Sequence, residues 1–293
     1  MKVNKIASEI LRGQWFFQSE AINAYAPIAY DFLYGNNKQL RVDDARPDAV
    51  FTAYNSSGNP IRPNDQGQLD IPKGSIAVVD CVGVLVKYGD WCTYGAIDIV
   101  NALEFADAHP NIIGTVLNVD GPGGSVAAVG PFVEFDKNKT KPVVAVCDFA
   151  ASAHLYAMLA VSDYIMADNN ISAMIGSIGV VITWMDNSKY LEENGFVEHV
   201  IYADESEDKG KAYHEALKGN YEIVKKDMLS PAAIQFQDFV KSKRPNLKVD
   251  HPGLMTGKTF GADEAVKIGL IDKVGSMAEA KQMVAMLSEI KRK

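Results

Sequence analysis

Ser152 lies in the stretch Phe149-Ala150-Ala151-Ser152-Ala153-His154, where an apolar run gives way to small residues ahead of a helix-like pattern. A serine on such a turn keeps its hydroxyl accessible and leaves the following backbone amide free to bind an oxyanion. Taken alone, a serine there more often does no more than cap a helix. A second break, Asp120-Gly121-Pro122-Gly123-Gly124, follows another apolar run. Glycines at a strand end let the backbone come close to a ligand and turn N–H groups toward an anion. Taken alone, that segment reads as a tight turn, and its spacing is not the GxGxxG of a dinucleotide site. The pair says more than either part. Both breaks fall at the carboxyl ends of predicted parallel strands, where sheets of this kind place their ligand sites. A nucleophile and an oxyanion hole are the core of acyl-transfer chemistry.

A serine nucleophile needs a neighbour to take its proton, because its hydroxyl is barely ionised at neutral pH. The histidines are His109, His154, His199, His214 and His251. His154 is two positions beyond Ser152 on a predicted helix and so points about 200° away from it, which reads as a surface or packing histidine. The cysteines Cys81, Cys92 and Cys147 contain no CxxC, which argues against a disulfide framework or a zinc site and for a reducing compartment. Cys147, in an apolar run, reads as a buried, inert thiol. No metal and no cofactor is expected.

The elements that would hold these residues follow from patterning. From residue 71 onward, apolar runs alternate with amphipathic segments. Strands are expected at 75–86, 112–119, 142–147 and 164–167, with helices at 96–109, 126–136 and 153–161. Continuous apolar strands alternating with helices indicate a parallel sheet covered on both faces. Further strands are expected at 178–183 and 197–202, with a helix at 186–194 between them. Residues 204–211 are strongly polar and read as an exposed loop. Helices at 219–242, 262–268 and 277–291 complete the chain. Three units result: a helical arm and linker over 1–70 with helices at 6–11 and 21–33, a core over 71–275, and a terminal helix over 276–293.

The totals exclude several classes. The chain has 293 residues, 47% of them hydrophobic and 23% charged, as in an ordinary globular protein. A formal net charge of -8 and a pI near 5.2 argue against nucleic-acid binding. Residues 1–17 carry Lys2, Lys5, Glu9 and Arg12 among their apolar residues, so no uninterrupted signal-peptide core is present. No apolar stretch reaches the roughly 18 residues of a membrane span. The expectation is a cytoplasmic chain with no membrane partner.

In four places the sequence resembles peptidase family S49, which includes the signal peptide peptidase A type and the phage capsid-assembly proteases. Asp120–Gly124 is similar to D-x-P-G-G and Ala150–Tyr156 to A-A-S-A/G-x-x-Y. Gly176-Ser177-Ile178-Gly179-Val180 is similar to G-S-I/L-G-V. Thr256–Phe260 through Glu264-Ala265 to Gly269-Leu270-Ile271-Asp272 is similar to the family's late segment. These motifs occur in family order over about residues 75–275. The resemblance implies an α/β crotonase-like core, a parallel-sheet spiral of the Clp/crotonase class with a helical N-terminal arm and C-terminal helices. It implies Ser152 as nucleophile and the amides of Ala153 and Gly123 or Gly124 as the oxyanion hole. It also implies a lysine base oriented by Ser177, which stands where Clp-type relatives have histidine. Lys209 is the nearest candidate by position and Lys211 the alternative; Lys189 falls too early.

A lysine base must be neutral, and Asp204, Glu205, Glu207 and Asp208 beside it would instead favour its charged form. The resemblance also implies a homo-oligomer whose active site is shared between subunits, acting on a peptide or unfolded-protein substrate, and favours processing of phage or prophage head-assembly proteins. Two alternatives stand beside this reading. One is a crotonase-type acyl-CoA enzyme, the other an assembly protein of the same fold that has lost its base.

Overall fold

The structure, a computed structural model, describes residues 50–89, 93–183, 186 and 188–291, together with the backbone strand β1 (Trp15–Phe17). The helices expected at 6–11 and 21–33, and Cys92, lie outside the described residues.

The β-branched and alanine-rich runs form β3 (Ser75–Val82), β4 (Ile112–Gly121), β6 (Val143–Ala151) and β7 (Tyr164–Ala167). β3, β4, β6 and β7 are hydrogen-bonded neighbours in that order and run parallel. β2 (Phe51–Tyr54) adds an antiparallel edge on β3, and β10 (Lys273–Val274) a parallel edge on β7. The sheet therefore reaches into the region read from sequence as a linker.

Successive residues of these strands face opposite sides, as the pleat requires. Val79, Leu117, Ala145 and Cys147 belong to the large core on one face. Val78, Val116, Val144 and Val146 join a smaller core on the other, closed by Ala280 and Val284 of the last helix. The large core is roofed by α1 (Ala96–Ala108), α2 (Val129–Asn138) and α3 (Ala153–Val161). Every residue of α3 is buried, so α3 carries no polar face and runs through the middle of the protein. α8 (Met277–Lys291) covers the second face. The α/β class with both faces of a parallel sheet covered is as expected.

One feature of the sheet positions the site. β6 is longer than its neighbours and changes partner along its length. Its first half pairs with β7 through Val144–Cys147, and its second half pairs with β8 (Met174–Gly176) through Phe149–Ala151. β8 in turn pairs antiparallel with β9 (Thr259–Gly261). A strand that changes partner in this way begins a second layer of sheet, which is the turn a spiral core requires. Gly176, at the end of β8, has φ 141°, and a Cβ there would lie 2.5 Å from the Lys258 carbonyl oxygen. Only glycine fits that crossing.

The helix expected at 186–194 is α4 (Ser188–Glu193), and α5 (Lys211–Leu217) follows the polar loop. The long helix near 219–242 is present, with a π-helical segment at Val224–Leu229 leading into α6 (Ser230–Lys243). α7 (Ala262–Lys267) matches its expected place. No strand forms at 178–183 or 197–202. Their β-branched residues have strand propensity, but residues 197–202 are exposed and lie against no sheet edge.

Candidate active site

Ser152 occupies the one-residue turn between β6 and α3. Its backbone has φ 57° and ψ −113°, a combination that a residue with a Cβ rarely adopts. The turn is held from both sides. The Ser152 N–H donates to the Gly176 carbonyl at 2.9 Å, and the Ser152 carbonyl accepts from the Tyr156 N–H at 2.9 Å. Ser152 is fully buried, and its Oγ has no hydrogen-bond partner among the described residues. A buried hydroxyl without a partner ordinarily costs about 1–3 kcal/mol. Ser152 thus combines a positive φ with a buried Oγ that no described residue satisfies.

The Ala153 N–H is the first of α3, a position with no intrahelical acceptor. The glycine segment is held close by. Gly123 has φ 117°, and β5 (Gly123–Ser125) runs on from it. On one edge β5 meets residue 85: the Leu85 N–H donates to the Gly123 carbonyl at 2.9 Å, and the Ser125 N–H donates to the Leu85 carbonyl at 2.8 Å. A Cβ on Gly124 would lie 1.8 Å from the Leu85 carbonyl oxygen, so no side chain fits there.

Of the surface and packing readings of His154, the structure agrees with packing. The residue is neither on the surface nor remote from the site but 1% exposed, and its Nδ1 accepts the Gly123 N–H at 3.0 Å. The helical-wheel argument assumed that Ser152 already lies on the helix. Its positive φ breaks that register. Burial drives the His154 pKa down to about 3, so the ring is neutral, with Nδ1 as acceptor and the proton on Nε2. Nε2 makes no hydrogen bond, and a Cβ on Gly121 would lie 2.4 Å from it. His154 thus braces the glycine turn by engaging the Gly123 amide.

Ser177 also has positive φ, 58°, and is 6% exposed; its N–H donates to the Lys258 carbonyl at 3.0 Å. Ala151 pairs with Gly176 in the parallel β6–β8 register, so Ser152 and Ser177 follow directly at the same end of the two strands. Three carboxylates lie near the carboxyl ends of the strands: Asp120 within β4, Asp148 within β6 and Asp168 directly after β7. Burial, and then mutual repulsion, raises the pKa values of Asp120 and Asp168. Among the described residues no cluster suited to a metal ion occurs.

The two candidate lysines are not joined to Ser152 in the single chain, since its Oγ has no partner. Lys209 is exposed in the loop after a 3₁₀ turn at Asp204–Ser206. Lys211 pairs with Asp208 at 3.0 Å, and that hydrogen bond and charge raise its pKa. A solvent-open concavity lined by Lys248, His251 and Glu264 contains none of the residues of this site. Cys147 is buried and its thiol pKa raised by burial, as expected of an inert thiol.

The profile of peptidase family S49 matches residues 135–291, more than half of the chain and inclusive of Ser152 and Ser177. This chain belongs to peptidase family S49. Among curated S49-like relatives, a provisionally named protease of Methanocaldococcus jannaschii is 26% identical over 194 residues, covering 65% of this chain and 61% of that protein. The head-tail preconnector protein GP5 of Enterobacteria phage P21 is 26% identical over 218 residues, 72% of this chain and 42% of its own. Protease 4 of Haemophilus influenzae is 24% identical over 209 residues, 70% of this chain and 33% of its own. The chain thus spans less than two thirds of the length of each. A mutant of the 1510-N membrane-bound stomatin-specific protease is similar in structure, with TM-score 0.44 and 18% identity over 69% of this chain and 80% of that one. An enoyl-CoA hydratase/isomerase family member has TM-score 0.41 and 15% identity, over 74% of each chain. Among the described residues of this S49 member, no helix is long and apolar enough to cross a membrane.

Proposed function

We propose that this S49 family member is a serine endopeptidase that cleaves an extended peptide through an acyl-enzyme on Ser152. The observation that carries this reading is the Ser152 turn: a buried, unpartnered hydroxyl at positive φ, followed by the free N–H of Ala153. Ser152 Oγ attacks the scissile carbonyl while a lysine amine takes its proton. The Ala153 and Gly124 N–H groups hold the oxyanion that forms. Collapse expels the amine product, which takes the proton back from the lysine, and water then repeats the sequence to release the acid.

Lys209 is the base in this reading and Lys211 the alternative, with Ser177 orienting the amine. Either must lose several pKa units through burial. In the single chain both face solvent, and Lys211 is held charged by Asp208. Assembly supplies the missing burial. In the same stretch of sequence as these lysines, Phe196 is 65% exposed and Ile201 91%, with Tyr190, Val197 and Tyr213 also exposed. Apolar groups gathered on one surface are what a protein interface covers. The site is therefore completed in a homo-oligomer, the lysine of one copy meeting Ser152 of another. The likeness to the phage preconnector protein supports a role in processing head-assembly proteins.

Replacing Ser152 by Ala tests the reading. Cleavage of an unfolded protein such as casein, and labelling by a fluorophosphonate, are expected to disappear together. Either one retained in Ser152→Ala would overturn the assignment.

A further inference from the structure

The edge of β5 opposite Leu85 is already occupied. Strand alternation sends the Gly123 carbonyl and Ser125 N–H toward Leu85, which leaves the N–H and C=O of Gly124 facing the other way. On that side β1 pairs antiparallel with β5, in the register Trp15 to Ser125, Phe16 to Gly124 and Phe17 to Gly123. β1 also contacts α3, the helix that Ser152 begins. Its direction brings the Phe17 end to Gly123, whose N–H is bonded to His154, two residues from Ser152. Gly123, Gly124 and Ser152 are all buried, so no peptide reaches the hydroxyl or the Gly124 amide until a covering segment leaves.

We infer that Trp15–Phe17 is a built-in competitor that occupies the backbone edge where a substrate peptide must pair. The inference rests on the peptidase reading of Ser152. The ligand of this edge is an extended peptide backbone, held by main-chain hydrogen bonds as an added strand. The Leu85 segment on the other edge is continuous with β3 and bonded twice to β5. β1 is the removable partner, tethered to the core through residues 18–49. Tethering makes its docking intramolecular, so a weak strand can hold the edge against free peptide. Undocking of β1 is then a step that precedes substrate pairing.

Two variants test this, Phe16→Pro, which removes an N–H from the pairing, and a chain lacking residues 1–17. Hydrogen exchange of the Gly124 backbone amide, the one among residues 123–125 that faces β1, reads the docking directly and needs no activity. Faster exchange in both variants than in the intact chain is expected; unchanged exchange would overturn the docking. Steady-state cleavage of one peptide substrate reads the competition. A strand docked in about 90% of molecules raises the apparent KM about tenfold, so both variants should show a KM lower by about that factor with kcat little changed. Exchange that rises while KM stays the same, in enzymes that cleave, would overturn the competition. Loss of fluorophosphonate labelling in the intact chain and both variants would instead refute the peptidase reading, with the exchange result still deciding the docking.

Discussion

The two halves of the proposed dyad sit in opposite kinds of structure. The nucleophile side is built from strand ends inside the core. Ser152 is fastened to Gly176 and Tyr156, Gly123 to His154, and Ser177 to the backbone of Lys258, and of these only Lys258 is exposed. The lysine side, from Ser188 to Lys218, has few buried residues and is held by short-range pairs such as Lys211–Asp208 and Lys218–Glu215. Exposed pairs of this kind contribute about 0–1 kcal/mol each. The difference teaches that strain and an unpartnered hydroxyl persist only where the surrounding core over-determines them. An amine that must change its pKa needs a burial that one chain alone does not give it.

Ser152→Ala should break the nucleophile side outright, lowering kcat/KM by about 10⁴-fold or more while leaving the fold intact. Peptide hydrolysis and circular dichroism measured together check this; loss of fold would leave the comparison unsupported. On the other side, Lys209→Ala and Lys211→Ala measured in parallel should differ sharply. The true base loses about 10³-fold in kcat and the other stays within about twofold, on the usual scale of general-base catalysis. Full activity in both would place the base elsewhere.

An assembly mutation sharpens the contrast further. Ile201→Asp puts a charge on the exposed apolar surface and should shift the oligomer toward smaller species in light scattering, with activity falling in proportion to the oligomer lost. The glycine brace gives a subtler test. His154 has a pKa of about 3 in the folded chain against 6.5 as the ordinary value. Between those values the unfolded chain binds one more proton, so the stability contributed by the neutral ring is present above pH 6.5 and is lost as pH falls toward 3. From pH 7 to pH 4.5 that loss is about 2–3 kcal/mol, and His154→Gln should flatten it in urea unfolding. The smallest effect is expected on the lysine side: Lys218→Ala, which removes an exposed pair with Glu215, should leave the urea unfolding midpoint unchanged.

Much of this was legible in the residues. The alternation of apolar runs and helices gave the parallel sheet, and the small residues around Ser152 and Gly123 marked both strand ends. What stayed hidden depended on long-range contact. β8 and β9 are three-residue strands from Met174–Gly176 and Thr259–Gly261 that become strands only by long-range pairing, β8 with β6 and β9 with β8. The His154 brace was hidden because the positive φ of Ser152 alters the direction of the following helix. Residues 178–183 and 197–202 misled in the reverse sense: their β-branched runs promise strands, but among the described residues 178–183 forms no more than a single bridge residue at Val181 and 197–202 forms no pairing. The pairing of β1 with β5 carries no motif at all, because main-chain pairing is indifferent to side-chain identity.

Mixing inactive variants tests the central claim most directly. Ser152→Ala and the inactivating lysine variant, each without activity as a homo-oligomer, are unfolded, combined and reassembled, and peptide cleavage is measured in mixed oligomers confirmed by native mass spectrometry. Recovery of activity in the mixture is the predicted result, because an intact Ser152 on one copy meets an intact lysine on another. Confirmed mixed oligomers that remain inactive would contradict an active site shared between subunits.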